Sequence, residues 1–335
     1  MSARLPLAID TGGLLLPETG VLSVLHPVAS ADLSALPIER TEVVQSFKPD
    51  FDHFLALGYS CVPSSDTRCS AALVCLPRAK ALARAQIATA CRRSTGLVIV
   101  DGAKTDGIDS MLRECRKRVD VCGPVAKSHG KLFWFAADPE AFADWQAVPQ
   151  TVSGFVTAPG VFSADGIDPA SELLGQALPA KLGTRIVDLG AGWGYLAAQV
   201  LKSSPVERLD LVEADAFALD CARQNLSDPR ARFHWADATN WAAEGRVDTV
   251  VMNPPFHIGR TADPSLGRAF VAAAARMLAP SGQLWLVANR HLPYERTLDE
   301  CFAKVEDAGG DSRFKIFHAA RPKTASKSTP TRMRR

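Results

Sequence analysis

Between residues 185 and 287, short apolar runs alternate with longer amphipathic stretches. The runs near 185–189, 208–212, 231–235, 247–252 and 282–287 have strand length, and all but 231–235, which is Ala-Arg-Phe-His-Trp, contain several Val, Leu or Ile residues. The segments near 194–202, 215–226, 265–278 and 295–303 read as helices. Alternation of this kind predicts an α/β fold built on a doubly wound, mainly parallel sheet. Asp168-Pro169 supplies an N-cap and a Pro at the first helical position, starting a further helix through Glu172-Leu173-Leu174. The last strands, near 313–319, are expected to form an antiparallel edge. In the first half, Leu97-Val98-Ile99-Val100 reads as a strand and 77–93 and 108–118 read as helices, so this half is also α/β. Pro149, Gly154, Pro159 and Gly160 accumulate near 145–160 and mark the join between two domains, 1–150 and 151–320.

The strand at 247–252 runs into Asn253-Pro254-Pro255-Phe256-His257. Two consecutive prolines cannot continue a sheet or enter a helix, so the peptide is a stiff loop at a strand's carboxyl end, where open α/β sheets place ligands. Fixed carbonyl acceptors beside a Phe face suit an amino group on a planar ring. Taken alone, the string reads better as a Pro-rich turn with a buried Phe. Some sixty residues upstream, the strand 185–189 ends in Gly190-Ala191-Gly192-Trp193-Gly194, with Asp188 two residues before the first glycine. Glycines at a strand-to-helix turn allow positive φ and close approach of backbone to a ligand. The spacing is G-x-G-x-G, and Tyr195 occupies the third-glycine position of the dinucleotide fingerprint G-x-G-x-x-G. The next strand ends in Glu213, placed to accept from both ribose hydroxyls of an adenosine.

These motifs resemble a known family. Asp188-Leu189-Gly190-Ala191-Gly192-Trp193-Gly194 is similar to the first motif of class I S-adenosylmethionine-dependent methyltransferases. Asn253-Pro254-Pro255-Phe256 is similar to the loop of those that methylate amino groups on planar systems. Pro159 to Asp168, Val287 to Tyr294 and Arg313 to Phe317 resemble segments of the ribosomal RNA small subunit methyltransferase C family. The resemblance is strong over 155–320 and weaker over 70–145. It implies transfer of a methyl group from S-adenosylmethionine to the exocyclic N2 of a guanine in ribosomal RNA, most of all 16S rRNA. It also implies a duplicated Rossmann-like fold with a degenerate N-terminal copy, since residues 1–150 show neither a glycine trio nor an Asn-Pro-Pro loop.

On this reading Asp188, Gly190, Gly192, Gly194, Glu213 and Asp237 hold the cofactor, with Asp237 on the adenine amino group. Asp188 orients the loop or the methionine ammonium. Asn253 and Pro254 accept the two N2 hydrogens, Phe256 stacks on a guanine flipped from its strand, and Pro255, His257 and Phe162 complete the substrate site. A loop-packing role reads equally well for His257. The competing readings are a large-subunit guanine-N2 enzyme, a protein-glutamine or DNA-adenine N-methyltransferase, and an RNA-binding protein with an inactive cofactor fold. Intact Asn253 and Glu213 argue against the last.

Composition narrows the setting. An apolar fraction of 47% is that of a globular core, and no apolar stretch is long enough for a membrane span. No secretory signal is visible, so the eight cysteines are expected as reduced thiols in a cytoplasmic protein. None lies in a C-x-x-C pair or a zinc-type cluster, and no metal is expected. A monomer is expected. The net charge of +2 conceals a basic tail: residues 321–335 carry Arg321, Lys323, Lys327, Arg332, Arg334 and Arg335 with no acid. Rich in Ser, Thr and Pro, this tail is expected to be disordered. Contact with RNA phosphates and an inert solvated end are even readings of it. The face read for Arg113, Arg116 and Lys117 on the helix 108–118 is a second candidate RNA-docking surface.

Overall fold

A computed structural model of the chain describes residues 4–203, 205–255, 257–258, 261–262 and 264–323, with backbone alone at 257–258, 261–262 and 264. Ordered by chain, the strands of the N-terminal part are β1 (Leu22–Leu25), β2 (Thr41–Val44), β3 (Ser60–Val62), β4 (Cys69–Cys75), β5 (Ser94–Ala103), β6 (Cys122–Lys127) and β7 (Gly130–Ala136). Its helices are α1 (Arg4–Asp10), α2 (Lys48–Ala56), α3 (Lys80–Arg93) and α4 (Ile108–Cys115). A small hairpin, β8 (Gln150–Val152) with β9 (Phe155–Thr157), follows. The C-terminal part contains β10 (Arg185–Leu189), β11 (Arg208–Glu213), β12 (Ala231–Trp235), β13 (Val247–Met252), the short hairpin β14 (His257–Ile258) and β15 (Thr261–Ala262), then β16 (Leu278–Asn289), β17 (Phe302–Gly310) and β18 (Phe314–Pro322). Its helices are α5 (Pro169–Ala177), α6 (Tyr195–Val200), α7 (Ala216–Asn225), α8 (Pro264–Met277) and α9 (Glu295–Cys301). Two units can be separated: residues 1–165 with 214–221, and residues 166–213 with 222–335.

Each unit is built on a seven-stranded sheet. The orders are β3-β2-β1-β4-β5-β7-β6 and β12-β11-β10-β13-β16-β18-β17, which are the same topology. Five strands of each are parallel; the two at the far side are antiparallel. The C-terminal sheet is covered on both faces, which is why its parallel strands read as continuous apolar runs. Val187, Leu189, Val250, Met252, Leu284 and Leu286 pack on the α8 and α9 side with Phe270, Val271, Ala274 and Leu298. Ile186, Val251, Trp285 and Val287 point the other way, against Ala170, Leu174, Leu196 and Val200. Alternation of side chains between faces is the period of two that a strand imposes.

The expected alternation over 185–287 is observed. The antiparallel edge expected near 313–319 is observed, and it has two strands, of which β18 is the inner one. β18 pairs antiparallel with β16 on one side and β17 on the other, leaving β17 outermost. β17, Phe-Ala-Lys-Val-Glu-Asp-Ala-Gly-Gly, has mostly partly or fully exposed residues. It therefore carries the charges of a protected edge and little apolar signal. α4 ends at Cys115 with Arg116 as its C-cap, so Arg116 and Lys117 lie past the helix and do not continue a face with Arg113. β18 runs through Pro322, and Lys323 N donates to Cys301 O at 2.8 Å, so ordered backbone reaches into the segment read as tail. The rest of that segment, 324–335, lies outside the described residues.

Candidate active site

In the second unit the strand order reverses between β10 and β13. One set of connections winds outward to β11 and β12, the other to β16, and the crevice at such a switch point is where doubly wound sheets hold ligands. Asp188 pairs with Val251 across it, so the chain leaves β10 into the glycine loop beside the place where it leaves β13 into Asn253-Pro254-Pro255.

Gly190, Gly192 and Gly194 all have positive φ (82°, 54° and 91°), a region that L side chains rarely adopt. A Cβ on Gly190 would sit 3.2 Å from Phe270 Cε1, whereas one on Gly192 would meet nothing within 4 Å. The middle glycine thus borders open space while the first is packed. The loop is tied to β11 by Gly190 N and Ala191 N donating to Val212 O at 2.9 and 3.1 Å. Gly192 N donates to Glu213 Oε2 at 2.7 Å, so the acid expected on the ribose stands against the glycine loop. Asn225 Nδ2 donates to Trp193 O at 2.9 Å and holds the loop's far side.

Asp188 is fully buried, and neither carboxylate oxygen has a partner in hydrogen-bond geometry among the described residues. Burial drives its carboxyl up to about 7; the Ala197 backbone offsets part of this and the nearby Glu213 charge adds to it. Asp237 lies in the loop after β12, which is held by Ala236 N donating to Glu213 O at 3.0 Å. Its Oδ1 accepts from Thr239 N at 2.8 Å and Thr239 Oγ1 at 2.7 Å, and its Oδ2 from Asn240 Nδ2 at 2.7 Å.

Asn253 is partly buried and its amide is clamped. Nδ2 donates to Asp168 Oδ2 and to Ser171 Oγ, each at 2.9 Å. Asp168 is the N-cap of α5, its Oδ2 also accepting from Ser171 N at 2.8 Å. A carboxylate only accepts, so Asp168 dictates that the NH2 faces α5 and that Oδ1 is the amide's remaining acceptor. Sequence reasoning read Asp168 as a helix cap and did not place it or Ser171 in the site. Eighty-five residues separate Asp168 from Asn253. No local pattern reports that a cap carboxylate has a lone pair to spare.

Pro254 is buried and Pro255 exposed. Phe256 lies outside the described residues, and for His257 the backbone alone is placed, paired with Ala262 in the β14–β15 hairpin. Phe162 is 57% exposed and falls among the residues of the first unit. The structure therefore brings together Asp188, the three glycines, Glu213, Asp237 and Asn253, and leaves Phe162 apart from them in the division of the chain. Among the described residues no His, Cys, Asp and Glu group suits a metal ion, and no helix is long and apolar enough to cross a membrane.

A sheet of this order with a glycine loop after its first strand and an acid at the tip of its second defines a class I methyltransferase fold. A family model described as "Methyltransferase small domain" matches residues 153–318. The T. thermophilus 16S rRNA N2 G1207 methyltransferase (RsmC), solved in complex with AdoMet and guanosine, superposes with a TM-score of 0.75 over 92% of this chain and 90% of that one, at 24% identity. Proteins named ribosomal RNA small subunit methyltransferase C are similar in sequence. That of Klebsiella pneumoniae subsp. pneumoniae is 36% identical over 69% of each chain. That of Hahella chejuensis is 31% identical over 66% of this chain and 68% of its own. That of Erwinia tasmaniensis is 32% identical over 70% of this chain and 66% of its own. The chain belongs to the ribosomal RNA small subunit methyltransferase C family, and its match spans about two thirds of these relatives' length.

Proposed function

We propose that this chain transfers a methyl group from S-adenosylmethionine to the exocyclic N2 of a guanine in ribosomal RNA, with 16S rRNA of the small subunit as the substrate. The observation that carries the reading is the clamped Asn253 amide at the switch point of a methyltransferase sheet. Gly192, bordering open space, and Glu213, at the tip of β11, fit the backbone-hugging and ribose-binding needs of the cofactor. The buried Asp188 carboxyl braces the same loop from below or meets the ammonium end, and Asp237 serves the adenine side. When bound, S-adenosylmethionine supplies an electrophilic methyl group on a sulfonium.

The N2 of guanine is a poor nucleophile because its lone pair is delocalised into the ring. Asn253 Oδ1 and the Pro254 carbonyl accept its two hydrogens, orient the nitrogen and favour the positive charge that develops on it. Phe256 stacks on the base, and Pro255 and His257 are assigned to the substrate side. No strong base is needed beforehand, since the nitrogen loses its proton after it has become acidic. Positioning and electrostatics supply the rate.

The RNA is proposed to dock through the first unit and the basic residues at the end of the chain, and the enzyme is taken as a cytoplasmic monomer. The test is transfer of labelled methyl to 16S rRNA and to assembled small subunits, followed by digestion to nucleosides. N2-methylguanosine is expected, and Asn253→Ala should lower its formation by about 10²-fold or more with cofactor binding intact, the scale for losing one preorganised polar contact. Label in adenine, in protein glutamine or in large-subunit RNA alone would refute the assignment.

A further inference from the structure

The first unit repeats the second to single residues. Leu25 pairs with Val44 as Leu189 pairs with Val212, and Val24 pairs with Leu73 as Asp188 pairs with Val251. His26 N donates to Val44 O at 2.9 Å, as Gly190 N does to Val212 O. On this register Val24 stands where Asp188 stands, His26 for Gly190, Gln45 for Glu213 and Cys75 for Asn253. Gln45 closes its own loop, with Nε2 donating to Pro27 O and Oε1 accepting from Phe47 N, both at 2.8 Å. The groups assigned above to cofactor and guanine are therefore replaced in the first unit.

A cavity of about 290 Å³ is nevertheless present there, lined by Leu25, His26 and Val44 at the carboxyl ends of β1 and β2 and by Gln86, Thr89 and Arg93 of α3. All its lining residues belong to the first unit, and strand carboxyl ends are the ligand-binding edge of such sheets. Two buried side chains on its wall have polar atoms to spare. Gln86 is 5% exposed, yet neither Oε1 nor Nε2 has a partner among the described residues. Arg93, also buried, is fixed by Nε to Thr67 O at 2.9 Å and by Nη2 to Glu42 Oε1 at 2.7 Å and Ser65 Oγ at 3.0 Å, while Nη1 has no partner. Unpaired buried polar atoms are destabilising, and an apolar residue at 86 would fill space without that penalty. Burial holds His26 down to about 4, so its ring is a neutral wall near neutral pH.

We propose that this cavity binds the adenine base of an adenine nucleotide. A glutamine amide offers one donor and one acceptor in a plane, the complement of adenine N6–H and N7. The corresponding edge of guanine presents two acceptors and leaves Gln86 Oε1 unpaired. Arg93, its charge paired with Glu42, keeps Nη1–H as a donor for a ribose or phosphate oxygen, which a nucleotide has and a free base lacks. The nucleotide is either free or part of an RNA strand.

The test is equilibrium dialysis of labelled AMP against the full chain, with S-adenosylhomocysteine saturating the second unit's crevice. One equivalent of AMP should bind. Gln86→Leu should weaken it about tenfold or more, the scale of a bidentate base pairing, and GMP should bind at least about tenfold more weakly than AMP. Loss of two unpaired polar atoms leaves the variant folded, which a thermal melt checks, and the comparison with wild type does not depend on how the second unit is filled. Displacement of AMP by a 16S rRNA fragment would support the site and assign its base to RNA; persistence of AMP would support it with a free nucleotide. Absence of AMP binding, or equal binding by Gln86→Leu, overturns the proposal.

Discussion

Replacing Asp168 with Ala removes two contacts that act on different observables. Its carboxylate caps α5 through Ser171 N at 2.8 Å and anchors Asn253 Nδ2 at 2.9 Å. Loss of an N-cap lowers stability by about 0.5–2 kcal/mol. Loss of a hydrogen bond to a charged group removes about 1.5–3 kcal/mol of the preference that keeps the Asn253 oxygen turned away from α5. At about 1.4 kcal/mol per factor of ten, turnover should fall roughly ten- to hundredfold while cofactor affinity stays unchanged. Ser171→Ala separates the two effects. It keeps the backbone N–H that the cap needs and deletes one acceptor of Asn253 Nδ2, so melting should barely move while turnover drops by less than in Asp168→Ala. Asp168→Asn keeps a neutral acceptor for the cap and should fall between wild type and Asp168→Ala in both readouts. The assay is single-turnover methyl transfer at saturating cofactor, with calorimetric cofactor titration and thermal melts on the same preparations. If Asp168→Ala melts lower but turns over at the wild-type rate, Asp168 is a helix cap and nothing more. A parallel loss of cofactor affinity would refute the clamp as the route.

Glu213→Ala should weaken cofactor binding by about 1.5–3 kcal/mol; unchanged affinity by calorimetry would remove Glu213 from the site. Asp188→Asn should stabilise the protein above neutral pH. Burial raises this carboxyl from the ordinary 3.8 to about 7. Between those values the folded chain holds more protons than the unfolded one, so the group's penalty grows with pH and is complete above about 7. Urea denaturation should show the gain at pH 8 shrinking toward pH 5, and a gain independent of pH would show that the charge is satisfied. Truncation after Lys323 removes Lys327, Arg332, Arg334 and Arg335 while sparing β18. If those charges meet phosphates, each lost contact should reduce the log–log salt slope of RNA binding by roughly 0.7–0.9; isotherms that overlay wild type at every salt concentration would dismiss the tail.

The second sheet was legible because its central strands are buried on both faces. A run such as Arg185-Ile-Val-Asp-Leu must be apolar on both sides and shows as a block, and the glycines after it announce the turn. β17 carries the opposite signal: its one fully buried residue is Phe302, and its charged stretch resembles a solvated segment until β18 supplies a partner. The first sheet was read from one strand only. β1 and β2 are four residues long, and His26 stands where a glycine loop would have marked the turn. The clamp on Asn253 was invisible for another reason. Its three members come from α5 and from the end of β13, and the sequence carries no trace of which lone pair of Asp168 is engaged by its own helix.

The comparison between units bears on what Asp188 is for. At the same register position, with the same backbone pairing, the first unit holds Val24 and the second Asp188, and both side chains are fully buried. The fold therefore tolerates an aliphatic residue there, and a buried carboxylate that the Ala197 backbone only partly offsets, with the Glu213 charge nearby, lowers stability relative to one. On the function proposed above, such an unfavourable group serves a ligand or a charge state of the site rather than packing. The first unit lacks Asp188, Gly190, Glu213 and Asn253 together. Had Asp188 only braced the loop mechanically, its loss need not accompany the loss of Glu213 and Asn253, which lie on other strands. Their joint replacement supports the proposal that the four belong to one site. The exchange Asp188→Val tests this directly: it should leave the second sheet intact and raise its stability at pH 8 while lowering cofactor affinity, and a variant gaining stability with full affinity would detach Asp188 from the site.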